Sequence, residues 1–124
     1  MINRTLQFLL LILAVVAQPG CKPAAQSADP DRARAMLRDA LEAWHKGETL
    51  KSFRERSSIT VAEPKWRDGY RLLDYELTGH GQMSGFDWQC DVRLSLQKAS
   101  GKSQVRASYN IGTAPALVII RYEG

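Results

Sequence analysis

The chain has 124 residues, with 17 Lys and Arg against 13 Asp and Glu, a formal charge of +4 and a pI near 9.3. That length suits one domain. The basic residues are scattered, with no run and no basic helix stripe, so a nucleic-acid partner is not expected. Two cysteines, with no CxxC and no Cys/His cluster, make neither a disulfide framework nor a zinc site.

In chain order, Met1 to Ala17 has the form of an export signal: Arg4 near the start, then an unbroken apolar run from Phe8 to Ala17. The run is shorter than the about 20 residues a membrane span needs. Residues 1–20 are assigned to the signal, 21–30 to a flexible polar tether and 31–124 to a single domain.

Asp29-Pro30-Asp31 opens a helix: a capping side chain, a proline suited to the first turn and an acid at the positive end of the dipole. Ala33, Met36, Leu37, Ala40, Leu41 and Trp44 follow as one apolar stripe, and Gly47 stops the helix. Thr49 caps a short helical turn carrying Leu50 and Phe53, and Ile59-Thr60-Val61 is a short edge strand broken by Glu63-Pro64. Trp66 to Gly69 turns the chain into the first long strand. Its dry face is expected to carry Leu73, Tyr75 and Leu77, and its wet face Tyr70, Leu72, Asp74 and Glu76. An exposed loop from Gly79 to Gly85 follows.

From Phe86 to Gln97 every even position is apolar and every odd one polar, the mark of a strand with one dry and one wet face. Cys90 falls on the dry face as a core thiol. Lys98 to Gly101 makes a hairpin to a strand whose dry face is Val105, Ala107, Tyr109 and Ile111. After the turn Gly112 to Pro115, the last strand is expected to bury Ala116, Val118, Ile120 and Tyr122.

Matching dry faces sets the registers. Trp88, Cys90, Val92 and Leu94 should face Ile111, Tyr109, Ala107 and Val105. Leu77, Tyr75 and Leu73 should lie near Trp88, Cys90 and Val92, and Val118 and Ile120 near Tyr109 and Ala107. The expected architecture is α+β: one long N-terminal amphipathic helix packed on one face of a four-stranded antiparallel meander sheet.

Residues able to carry chemistry are few. His45 sits at a helix end beside Lys46, where positive charge is favoured, and His80 lies in a glycine-rich loop. Asp74 and Asp91 are expected opposite one another, yet Arg93 and Arg106 share their face, which favours ion pairing over acid–base work. No Ser, Cys or Thr has an evident neighbouring base, and no metal site or cofactor is expected. The wet face is charged in its middle (Asp87, Asp91, Arg93, Arg106) and apolar at its margins (Tyr70, Leu72, Leu117, Ile119). Together these residues form a candidate interface.

Two resemblances add to this reading. Gly20-Cys21 after an apolar run resembles the lipobox of bacterial lipoproteins, which implies lipidation of Cys21 and a membrane-anchored protein facing the periplasm or cell surface. Gln18 and Pro19 stand where that pattern has Leu and a small residue, and cleavage after Ala17, giving a secreted protein, stays open. A helix followed by a meander that curls over it resembles the cystatin-like and nuclear-transport-factor-2-like folds. The chain is also similar to small exported bacterial proteins that carry Ala-Trp-x-x-Gly (Ala43 to Gly47) and Trp-x-x-Gly-Tyr-x-Leu (Trp66 to Leu72). Enzymes of the transport-factor-like class place His or Asp inside a cone, whereas the dry-face positions here are expected to hold neither.

The expected role is a non-enzymatic, membrane-tethered exported module that binds a protein partner or itself through the wet sheet face. The alternatives are a small ligand-binding or enzymatic cup of the transport-factor-like type, and an inhibitor of a secreted hydrolase acting through loops such as Gly79 to Gly85.

Overall fold

The computed structural model describes residues 26–122. The export signal, Cys21 and most of the tether lie outside the described residues. The elements run α1 (Pro30–His45), α2 (Leu50–Ser57), β1 (Thr60–Ala62), α3 (Pro64–Arg67), β2 (Arg71–Ser84), β3 (Asp87–Lys98), β4 (Gly101–Gly112) and β5 (Val118–Tyr122).

Helix α1 begins where its capping residues stand. The Asp29 carboxylate accepts from the Asp31 N–H at 3.1 Å, with Pro30 in the first turn. Its whole expected stripe is buried, together with Ala43. Each large side chain on it contributes roughly 1.5–3 kcal/mol by leaving water. The Thr49 hydroxyl accepts from the Ser52 N–H at 3.1 Å and starts α2, which sends Phe53 fully into the core. Glu63 and Pro64 begin α3, one helical turn that buries Trp66.

The five strands form one sheet in the order β1-β5-β4-β3-β2. Strand β1 runs parallel to β5, and every other pair is antiparallel. The class is α+β as expected, but the four-stranded antiparallel sheet becomes five-stranded and mixed. The short strand near Thr60 is an edge strand as expected, and it makes the sheet mixed by pairing in parallel with β5.

The β3–β4 register is the expected one: Trp88, Cys90, Val92 and Leu94 face Ile111, Tyr109, Ala107 and Val105. The β2–β3 register differs. Leu77 faces Val92 and Tyr75 faces Leu94, because β2 continues through the expected loop and turns only at Gly85 and Phe86. Residues 79–86 are nevertheless all exposed. Gly79 and Gly81, both at positive φ, let β2 bulge between Thr78 and Gln82. A second bulge at Leu73 shifts the parity, so Leu72, not Leu73, joins Tyr75 and Leu77 on the inner face.

Strand β5 is inverted relative to the expectation. Ile119 pairs with Ile111 and is buried, whereas Ile120 and Tyr122 are exposed on the outer face at 46% and 50%. The run Leu117-Val118-Ile119-Ile120 is apolar throughout, so alternation cannot choose a face. The choice comes from Arg121, which finds a buried partner on the inner side.

Candidate functional site

Three places could hold a ligand or a partner: the interior between α1 and the sheet, the outer sheet face, and the end of the molecule where α1 stops.

The interior is filled. The space among Leu37, Ala40, Trp44, Trp66 and Tyr109 is about 10 Å³, room for about one water. Contrary to expectation, an acid lies there: Glu63 is 3% exposed. It accepts from the Lys65 N–H at 2.9 Å, from the Arg121 guanidinium at 2.9 Å and from the Tyr109 hydroxyl. Burial, reinforced by Glu63, pushes the Tyr109 hydroxyl well above its ordinary pKa. Every oxygen of this carboxylate is engaged, so the group braces α3 against β4 and β5 and is not aimed at a ligand. Cys90 is a buried free thiol as expected, its pKa raised by burial.

On the outer face, Arg93 pairs with Glu76, and the Ser108 hydroxyl donates to Asp91. Asp74 faces Ser95, and Thr78 faces Asp91, so the two aspartates are not opposed and form no dyad. Arg106 stands exposed opposite Arg93, and Asp87 is half-buried near Gly112. Of the apolar margin expected here, Leu72 and Ile119 are core residues and offer nothing to a partner. Leu117 and Tyr70 pack partly against the core. The exposed apolar residues of this face are Ile120 and Tyr122, which the sequence placed inside.

The third place joins the two tryptophan motifs. Trp44 stacks on Trp66 with ring centroids 5.7 Å apart and planes 10° from parallel, and Phe53 packs on Trp66 at 5.6 Å. The indole N–H of Trp44 donates to the Tyr70 carbonyl at 2.7 Å, and that of Trp66 to the Glu48 carbonyl at 3.0 Å. His45 reaches the Leu72 carbonyl through Nδ1 at 3.0 Å, so it ties α1 to β2. These contacts build the wall of an open groove of about 680 Å³ between the end of α1, the start of α2, α3 and the start of β2.

The charge of the groove is one-sided. Lys46, Lys51, Arg54, Arg67 and Arg71 line it against a single carboxylate, Glu48. That carboxylate is already held by Arg56 and Ser52, which keeps its pKa below the usual range, the Arg56 hydrogen bond being the main cause. Lys46 and Arg67 have acidic neighbours, Glu42 and Asp68, whereas Lys51, Arg54 and Arg71 make no ion pair among the described residues. Lys65 and Lys98 add two more charges at the rim, their ammonium groups 4.6 and 4.5 Å from the Tyr70 ring centroid. Leu50, Val61 and Tyr70, each partly buried, supply an apolar floor. Basic residues scattered along the chain thus gather in space, which spacing alone did not reveal.

Compared with protein-family models, with curated proteins and with solved structures, the chain matches none. Among the described residues no helix is long and apolar enough to cross a membrane, and no three His, Cys, Asp or Glu side chains are grouped to hold a metal.

Proposed function

We propose that the protein is a non-catalytic exported binding module, tethered to a membrane through Cys21, that grips an acidic segment of a partner protein in the groove at the end of α1. The observation that carries this is the groove's charge: five cationic side chains around an apolar floor, with its one carboxylate already satisfied. Such a surface attracts acidic chains and orients them before contact. The groove is open along its side, unlike small-molecule sites, which bury most of their ligand. That shape suits a segment of a larger partner. Nucleic acid is disfavoured because the aromatic faces it would stack on are taken: Trp44 and Trp66 are buried against each other, and Tyr70 lies between two lysines.

The test is a peptide array probed with the full-length protein. Peptides combining Asp or Glu with an apolar residue are expected to be retained, and Lys51→Glu/Arg54→Glu/Arg71→Glu to lose them. Equal retention of basic and acidic peptides, or no effect of the triple reversal, would overturn the reading.

A second reading, self-association through the outer sheet face, draws support from exposed Ile120 and Tyr122 on the same face as Arg93 and Arg106. Sedimentation at rising concentration decides it. A dimer lost on Tyr122→Ser or on reversing Arg93 and Arg106 supports it, and a monomer throughout refutes it.

A further inference from the structure

Helix α1 and strand β2 run antiparallel, which gives the molecule two distinct ends. At one end Trp44 and His45 bond the carbonyls of Tyr70 and Leu72, and the groove opens there. At the other, Arg34 donates to the carbonyl of His80, and its guanidinium lies 5.2 Å from the Trp88 ring centroid. The 16-residue helix that links these ends is about 24 Å long.

The chain reaches the domain at the end away from the groove. Ala28 is buried and donates its N–H to the Phe86 carbonyl at 2.7 Å, and Asp29 donates its N–H to the Thr113 hydroxyl at 3.1 Å. Strand β2 continues beyond His80, so the β2–β3 turn projects past the start of α1. Gly85 at φ +62° makes that turn tight. On it stand Phe86, 60% exposed, and Met83, 42% exposed, two of the four exposed large apolar side chains among the described residues.

Cys21 precedes Ala28 by seven residues, a reach of at most about 25 Å. We infer that Met83 and Phe86 form a membrane-contacting tip, resting in the bilayer interface beside the acylated Cys21 and holding the basic groove away from the lipid. The inference rests on the tether reading above. Two side chains alone would not hold a protein on a bilayer, but an acyl anchor keeps them at high local lipid concentration. The ligand chemistry is apolar. The charges near the tip are of both signs, Asp29, Asp31 and Asp87 against Arg32 and Arg34, and Arg34 is occupied by His80 and Trp88, so anionic headgroups find a small cationic surface there compared with the groove. Contact at the tip therefore depends chiefly on its apolar side chains and only weakly on salt or anionic lipid, whereas binding in the groove is strongly salt-sensitive.

The full-length protein purified from membranes is weighed intact, then reconstituted in phosphatidylcholine vesicles carrying a photoactivatable phospholipid. Crosslinks are expected within residues 82–87. They should fall about tenfold in Met83→Ser/Phe86→Ser, and should change far less than that when salt or anionic lipid is added. An acylated protein whose crosslinks avoid residues 82–87, or whose labelling there is unaltered by the double substitution, overturns the tip and leaves the anchor standing. An intact mass without acyl chains overturns the tether reading, and the tip with it.

Discussion

Arg121 of β5 donates to the buried carboxylate of Glu63 at 2.9 Å, and the two side chains are 9% and 2% exposed. The pair ties the last strand to the segment between β1 and α3 and decides which face β5 turns inward. Truncating one partner of a buried pair strands the other charge, so Arg121→Met should cost about 3–5 kcal/mol in urea unfolding. Replacing the cluster together, as Glu63→Leu/Tyr109→Phe/Arg121→Met, should cost less than Arg121→Met alone, because no charge is left unpaired. A triple variant weaker than the single one would show that the cluster is worth more than an apolar packing.

Tyr109→Phe tests the third member. It removes the hydroxyl that donates to Glu63 and leaves a buried acceptor short of one bond, with an expected loss of about 1–3 kcal/mol. The fold should survive, since the ring itself stays in place.

Stability should fall in alkali. The Tyr75 hydroxyl is pushed up to about 12, by burial first and then by its 2.8 Å hydrogen bond to Glu42. An unfolded tyrosine ionises near 10. The folded state therefore holds its proton more tightly. That stabilisation is complete below about pH 10 and is lost as pH rises from there through the folded value. Tyr109 acts in the same direction. Melting temperatures should hold between pH 8 and about pH 10 and decline above it, and Tyr75→Phe should shallow that decline.

Gly81→Ala should destabilise the β2 bulge. Gly81 sits at φ +74°, and a Cβ there would run into the Trp88 ring, which also carries Arg34. Positive φ and overpacking together predict a loss of about 2–4 kcal/mol. Gly79→Ala shares the positive φ but meets open space, so it should cost about 1 kcal/mol. The difference between the two thermal shifts isolates the contact with Trp88.

Binding of an acidic peptide should weaken as ionic strength rises, because the groove's free cations are solvent-facing and screened. Reversing Lys51, Arg54 and Arg71 should lower melting only slightly, since none makes an ion pair among the described residues and only Arg54, in the last turn of α2, is favoured by a helix dipole, worth about 0.3–1 kcal/mol. Loss of binding together with a large fall in melting temperature would instead assign those residues a structural role.

Much of the architecture is legible in the residues. Asp29-Pro30 and Gly47 bound α1, and its 3.6-residue stripe names its buried face. The strict alternation from Trp88 to Leu96, matched in β4, sets their register pair by pair. These signals are local: caps, periodicity and a two-residue hairpin act over a few positions, so a linear chain suffices to specify them. The tertiary structure decides what depends on partners distant in sequence. The uniform apolar run of β5 has no parity of its own, and only the buried Glu63 makes an inward Arg121 tolerable. Leu72 turns inward because a bulge absorbs one residue of β2, and Phe86 turns outward because the strand ends at a glycine. The basic groove is invisible in the order of residues, since its cations come from α1, α2, α3 and β2 and meet only when Trp44 stacks on Trp66. Charge adds through space, and folding alone brings those side chains to one place.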